Sequence, residues 1–556
     1  MRTRVEITCS NTGTVHEYPA GTTLYEIYND IKPGLSSSVL AAIVNNELKE
    51  LSYEVYNPKI ITFIDISDPD GMRTYIRSLT FLLQVAVKHV LPNHKLSIQH
   101  SVSNGIYCEI TNGKQNLDIA EINELEACMK ELIAKDLTFS KTKIPTSEAI
   151  ELFLNAGYRE KALLLETRGK FFTSVYWLDN FPDHFYGPLV HSTGCLSKFG
   201  LSTYYQGLLL MFPKPDKPDT LQEYVIQNKM LQIFREHKEW NEILGSKSIG
   251  TINRAIQGGH ATNLIQVAEA LHEKKYARIA DSIVEKKSKI VFISGPSSSG
   301  KTSSAKRIAV QLRVAKKRPH IIELDNYFVN RENTPKDEAG EYDFESIRAI
   351  DVELFNSHLN DLLEGREVNI PRYDFISGTR RFCDSDIIRM DESDILVVEG
   401  IHGLNPELIT VAKDRIFRIY ASALTSISVD ENNRIPTTDN RLVRRIVRDA
   451  ATRGYSATDT IRRWQSVRRG EDRNIFPYQE NADIMFNSSL IYELSVLRKY
   501  VEPLLRKVSP SSPEFVEALR LLKFIGYFES IDARDEETIP PTSVLREFIG
   551  NSSFNY

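Results

Sequence analysis

Cysteine is scarce in this chain: five are scattered over 556 residues (Cys9, Cys108, Cys128, Cys195 and Cys383), and no two form a CxxC pair. That excludes a disulfide-stapled secreted scaffold and a paired-thiolate metal site as organising features. Long hydrophobic runs are missing too, since no apolar stretch approaches the ~20 residues that span a bilayer. The opening MRTRVEITCSNTGTV alternates apolar with polar residues and lacks the apolar core of a signal peptide. Neither sign of charge dominates: 69 Lys and Arg face 74 Asp and Glu, a net charge of -5. Such a balance offers no whole-chain attraction to nucleic acid or to an anionic membrane. Internal repeats and low-complexity tracts are absent. What remains, 41% hydrophobic and 26% charged residues, suits a globular chain with several cores. The expectation is a soluble, cytoplasmic, multidomain protein.

Periodicity divides the chain. Residues 1–67 form a strand-rich module, with period-two patterning in VEITC and HEYPAGTTL, a short amphipathic helix LYEIYNDI and a further strand ITFIDIS. The DPDG at 68–71 reads as a turn and a boundary. Residues 68–215 mix a helix (IRSLTFLLQVAVKHVL), strands (KLSIQHSV, IYCEI) and a second helix around Ile122–Leu132. The prolines of PKPDKPD mark the next break, and 216–286 read as a helical linker. Residues 287–487 alternate strand, Gly-rich turn and helix, the pattern of an α/β domain with a parallel sheet. Residues 488–556 are a helical extension with a polar tail.

The chemistry is concentrated in KIVFISGPSSSGKTSS, residues 289–304. A strand runs into Gly295, then Pro296, Ser297, Ser298 and Ser299, then Gly300, Lys301, Thr302 and Ser303. Backbone N–H groups can wrap phosphate oxygens only where side chains do not intrude, hence the glycines. The following helix turns its positive end toward the same anion, Lys301 offsets phosphate charge, and the Thr302 hydroxyl suits Mg²⁺. A second strand, DILVVEG, ends in Glu399, a further candidate metal ligand beside the loop. In HIIELDNYF a strand delivers Asp325 to the carboxyl edge of the sheet, as a proton acceptor or as a turn cap; both readings stand. Residues 441–473 hold ten arginines, no lysine and four acids. A solvated face and a nucleic-acid patch are the ordinary readings; beside a phosphate loop, a lid over ATP phosphates is preferred.

Residues 288–487 resemble the uridine kinase and phosphoribulokinase family. The resemblance rests on GPSSSGKT, LDNYF, the YDFE–AID segment at 342–351, IPRYDF at 370–375, VVEGIHGLN at 397–405 and RLVRRIVRDAATRG at 441–454, in that order. It implies ATP and Mg²⁺ as cofactors and Asp325 as catalytic base, with Lys301 and Arg453 assisting. It also implies Glu345, Tyr373 and Arg445 as substrate contacts, Arg448 on ATP, and Thr302 with Glu399 at the metal. Three positions depart from the family's pyrimidine readers: Gly378 replaces a histidine, Tyr455 an arginine and Trp464 a glutamine. Base recognition is therefore rewritten.

Residues 1–67 are similar to the TGS module, a β-grasp fold, through AAIVNNELKELSYEV. Residues 72–210 resemble the editing domain of threonyl-tRNA synthetase, an α+β unit. Its four site positions fall on Arg77, Phe81, Phe185 and Leu189, which provide neither a base nor a metal ligand. Nearby His191 and Cys195 read as structural. The fold expected is thus multidomain α/β: a β-grasp unit, an editing-like unit, a phosphate-loop kinase domain and a helical C-terminal extension. The leading function is an ATP-dependent kinase for a nucleoside hydroxyl, uridine or a relative. The alternatives are another small alcohol or sugar phosphate as acceptor, or an ATP-switched regulator associated with translation. Partners expected are a small-molecule substrate and no membrane. Nucleic acid is disfavoured by the charge of the front half, five Lys and Arg against eight Asp and Glu in residues 1–67. A homo-oligomer is left open.

Overall fold

The computed structural model describes residues 4–111, 117–336, 340 and 342–555; Met1–Thr3 of the alternating N-terminal stretch lie outside them. A five-stranded sheet opens the chain, in the order Thr14–Pro19, Arg4–Cys9, Lys59–Ile64, Ala41–Val44, Glu47–Lys49. Arg4–Cys9 and Lys59–Ile64 pair in parallel, so the chain must cross over between them, and helix Leu24–Ile31 lies in that connection. This helix covers the segment LYEIYNDI and starts at a capping box in which Thr23 and Glu26 satisfy each other's backbone amides.

The DPDG segment is not the turn expected from its composition. Asp68 caps a 22-residue helix, Pro69–Val90, by accepting from the amides of Asp70 and Gly71, with Pro69 in the first turn. Proline tolerates that position because its missing N–H would have no helical partner there. The helix packs against a four-stranded antiparallel sheet and a three-stranded one that together occupy residues 95–211. The stretch read as a helical linker begins with a strand, Lys217–Leu221, paired to Pro213–Lys214. It continues as helices Asn228–Ile243, Ile249–Gln257 and Ala261–Glu285.

Five parallel strands then form the central sheet, ordered Arg318–Glu323, Asp394–Glu399, Ile290–Ser294, Ile416–Ser422, Ile484–Asn487. Ile290–Ser294 is buried throughout, as a strand covered on both faces must be. It also lies where the strand order reverses, which opens a crevice at the carboxyl edge. Helices Glu493–Leu505 and Phe515–Ile525 and two short helical turns follow. Their Leu521, Phe524 and Phe548, with Val544 just before the last turn, share one core with Leu442, Val443 and Ile446 of helix Thr437–Thr452. Among the described residues no helix is long and apolar enough to cross a membrane.

Candidate active site

The segment Gly295–Thr302 joins strand Ile290–Ser294 to helix Lys301–Val314 at the sheet's carboxyl edge. Two of its residues take left-handed backbone, Ser298 at φ 58° and Gly300 at φ 76°. Such turns aim successive N–H groups into one concavity. A Cβ at Gly295 would sit 1.9 Å from the Ala421 carbonyl oxygen, so glycine is obligatory there. The Ser298 and Ser299 hydroxyls are buried without a hydrogen-bond partner among the described residues. Orphaned hydroxyls inside a ring of amides fit a bound phosphate group.

Thr302 Oγ1 donates to Glu399 Oε1 at 2.7 Å, bringing the two expected metal ligands together. A carboxylate and a hydroxyl are the hard oxygen donors Mg²⁺ takes alongside phosphate and water. No cluster of three or more metal-ligating side chains exists among the described residues, so substrate oxygens and waters would supply the remaining ligands. Burial pushes the Glu399 carboxyl up to about 7, against the pull of Lys301 and the Thr302 hydrogen bond. Asp325 does not lie on the strand as expected: the strand ends at Glu323, and Asp325 is in the single 3-10 turn Leu324–Tyr327. It remains at the carboxyl edge, and burial raises its pKa while Lys301 and Arg453 oppose the rise. Glu323 acts on both Asp325 and Glu399, so three carboxylates and two cations share one field.

The arginines divide sharply by environment. Arg441 and Arg444 are fully buried, contrary to a solvated face. Arg441 Nε donates to the Ser297 carbonyl at 3.0 Å and its guanidinium pairs with Glu471. Glu471 in turn accepts from the Ser297 amide at 2.9 Å. Arg444 donates to the Ser298 carbonyl at 3.3 Å and to the Ser488 carbonyl at 2.9 Å, and pairs with Glu493. These contacts hold the outside of the phosphate loop. Glu471 and Glu493 were not foreseen as site residues; the signal for Glu471 was its rarity, one of four acids in the arginine-rich stretch.

Arg445, Arg448 and Arg453 surround a single buried carboxylate, Asp449, at 3.2, 3.0 and 3.6 Å. Arg445 also donates to Ser297 Oγ at 2.8 Å. Burial first, and then the neighbouring guanidiniums, lower the pKa of Arg445 and of Arg453 against the pull of Asp449. Helix Thr437–Thr452 packs into a core that it shares with the C-terminal extension. Glu345 packs against Gly470, where any Cβ would come within 2.5 Å, and burial and Glu471 push its carboxyl up to about 7. Tyr373 sits in an aromatic group with Phe328 and Phe375.

The three departures have structural reasons. Gly378 adopts φ 71° at a hairpin turn, and a Cβ there would meet the Arg331 side chain at 2.8 Å. Tyr455 lies beside the Arg463 guanidinium, 4.5 Å from ring centroid to cation. Trp464 is buried beneath Arg441.

Residues 290–493 match the sequence model of the Phosphoribulokinase / Uridine kinase family. The N-terminal region matches threonine–tRNA ligase of Francisella tularensis, at 29% identity over 199 residues. That match covers 35% of this chain and 31% of the ligase's own length. Among solved structures, a possible uridine kinase from Bacillus stearothermophilus aligns at 18% identity and a TM-score of 0.24, covering 36% of this chain and 89% of that one. D-glycerate 3-kinase from Cryptococcus neoformans aligns at 11% identity and a TM-score of 0.21, covering 46% and 87%.

Proposed function

We propose that this chain is an ATP-dependent kinase that phosphorylates a hydroxyl of a small molecule, with a nucleoside such as uridine as the leading acceptor class. The observation that carries the reading is the phosphate loop Gly295–Thr302, with Thr302 hydrogen-bonded to Glu399 and Arg445 reaching Ser297. The loop amides and Lys301 hold the β- and γ-phosphates of ATP. Mg²⁺, held by Thr302 and Glu399, screens phosphate charge when bound. Arg445, Arg448 and Arg453 outnumber their one carboxylate and stabilise charge on the transferred group. Asp325 accepts the proton of the attacking hydroxyl; burial raises its proton affinity, which suits a base. Glu345 and Tyr373 orient the acceptor.

A second reading keeps the chemistry and changes the acceptor to another alcohol or a sugar phosphate. It is favoured by Gly378, whose backbone and packing leave no room for a base-reading side chain. A purified-protein assay of ADP formation against nucleosides, sugar phosphates and simple polyols separates the two. Turnover with a nucleoside supports the first reading and turnover with a sugar phosphate alone the second. No turnover with any of them removes the kinase reading in favour of an ATP-bound regulator.

A further inference from the structure

A cavity of about 210 Å³ lies between the front half and the kinase-like part, far in sequence from the phosphate loop. Its walls come from strand Lys95–Val102, helix Asn228–Ile243 and the segment 425–435. That last segment is rigid: Asp430 accepts from the amides of Asn432 and Asn433 at 2.9 and 3.1 Å, and the next residue is Arg434. Glu431 caps the opposing helix Arg159–Arg168, accepting from the amides of Glu160 and Lys161 at 2.8 and 3.1 Å.

The charges lining the cavity are unequally satisfied. Lys238 pairs with Glu109, Lys247 lies 3.8 Å from Glu242, and Glu160 accepts from the Ser248 hydroxyl. Arg434 alone among the cavity's cations has no hydrogen bond or ion pair from its guanidinium among the described residues. Burial, and nearby Arg434 and Lys238, push the pKa of His100 down to about 3, so this lining ring is neutral at pH 7. An unpaired, half-buried guanidinium is costly for a protein to keep without a partner. Its planar fork matches a carboxylate. The carboxylates Glu160 and Glu431 in the same walls disfavour a doubly charged phosphate. The Asn241 amide nitrogen donates to the Ser426 carbonyl at 3.0 Å, which leaves its oxygen to accept from a ligand donor. The volume falls below the roughly 300 Å³ at which drug-sized pockets begin, so a nucleotide does not fit.

We propose that this cavity binds a small, singly charged carboxylate ligand of amino-acid size, held through the Arg434 guanidinium. The proposal is independent of the kinase reading, because the site is separate from the phosphate loop and its test needs no turnover. Isothermal titration of the full chain with the twenty amino acids, acetate, glycolate and inorganic phosphate provides that test. At least one carboxylate is expected to bind saturably, and Arg434→Gln to weaken it by about tenfold or more. The Arg434 guanidinium makes no direct hydrogen bond or ion pair among the described residues, though Tyr186 and Asp439 attract its charge, so the ligand-free variant should melt close to the parent, whereas a structural role would lower its melting markedly. Arg434→Lys, which keeps charge but loses the fork, should fold and bind more weakly than the parent; it decides the matter if the Gln variant does not fold. Absence of saturable carboxylate binding, affinity unchanged in a folded variant, or tighter binding of phosphate than of every carboxylate overturns the proposal.

Discussion

Arg520 sits where three distant segments meet, and removing it tests how the chain is held together. Its guanidinium clasps Asp439 of helix Thr437–Thr452 at 2.7 and 2.8 Å and donates to Glu517 at 2.6 Å. Glu517 also accepts from Arg73 of helix Pro69–Val90 at 2.9 Å. Asp439 is buried and accepts side-chain hydrogen bonds only from Arg520 among the described residues. Arg520→Met therefore strands a buried carboxylate, a change that costs about 3–5 kcal/mol. Glu517 provides a second measure, because the two arginines pull its carboxyl from 4.5 to about 2. At 1.36 kcal/mol per pKa unit that is about 3 kcal/mol. A depressed carboxylate contributes fully above its unfolded pKa and loses the contribution as pH falls through its folded pKa. About 1.4 kcal/mol should therefore be gone at pH 3.5. In Arg520→Met part of that depression is absent, and Asp439 takes up a proton more readily. Both effects narrow the gap between parent and variant in acid. Urea unfolding at pH 7 and pH 3.5 measures the gap directly, and adding Asp439→Leu should recover much of the loss. A variant within about 1 kcal/mol of the parent at pH 7, or a gap that ignores pH, refutes the reasoning.

Lys301→Ala removes the cation from the phosphate loop and should lower ATP turnover on the order of 10²–10³-fold with melting unchanged; normal turnover would show the loop is not the site. Asp325→Asn keeps the shape of the side chain but accepts no proton, so kcat should collapse while ATP affinity, read by equilibrium titration, changes little. Glu345, whose folded pKa of about 7 lies above 4.5, opposes folding increasingly as pH rises through that window. Glu345→Gln should make the ligand-free protein more stable than the parent at pH 8, by about 3 kcal/mol, with the difference shrinking toward pH 4.5 in urea titrations.

Local patterns carried what depends on near neighbours. The segment KLSIQHSV is a strand over its whole length, Lys95–Val102, and LYEIYNDI is the helix Leu24–Ile31. The glycine spacing of the phosphate loop needs only adjacent strand and helix, both visible in the sequence. Asp68 was legible as a polar cluster but not as a cap, because turn and helix start use the same residues: Asp, Pro and Gly. Asp325 followed a run that looks like strand, and the change to a 3-10 turn after Glu323 leaves no mark on composition. The arginine-rich stretch hid the most. Arg444 is interior because of Ser488 and Glu493, more than forty residues downstream, and Arg441 because of Ser297 and Glu471; no spacing within the helix reports those pairings.

The positions that align with an editing site are filled by packing, and their neighbours contact the C-terminal extension. Arg77 donates to the Pro188 carbonyl at 2.6 Å and lies 5.5 Å from the Tyr186 ring. Phe81 packs on Phe185, and Leu189 is buried in the same core. The wall beyond them is closed by the C-terminal extension: Tyr186 meets Phe524 and Tyr527, and the Tyr527 hydroxyl hydrogen-bonds His184 Nε2 at 2.8 Å. Burial pushes the pKa of His184 down to about 3, so its ring is neutral in this contact at pH 7. Across the same seam, the fully buried Lys161 pairs with Asp183 and lies 3.8 Å from Asp430 of the kinase-like part. A buried ammonium between two carboxylates from separate segments is tolerable only while both remain in place. The phosphate loop is gripped by Arg441 and Arg444, their helix is gripped by the extension, and the extension packs on Tyr186 and His184 of the front half. Arg77, Phe81, Phe185 and Leu189 meet the chain's own backbone and side chains, and the contacts of Tyr186 and His184 with the extension link the front half to the helix that grips the phosphate loop.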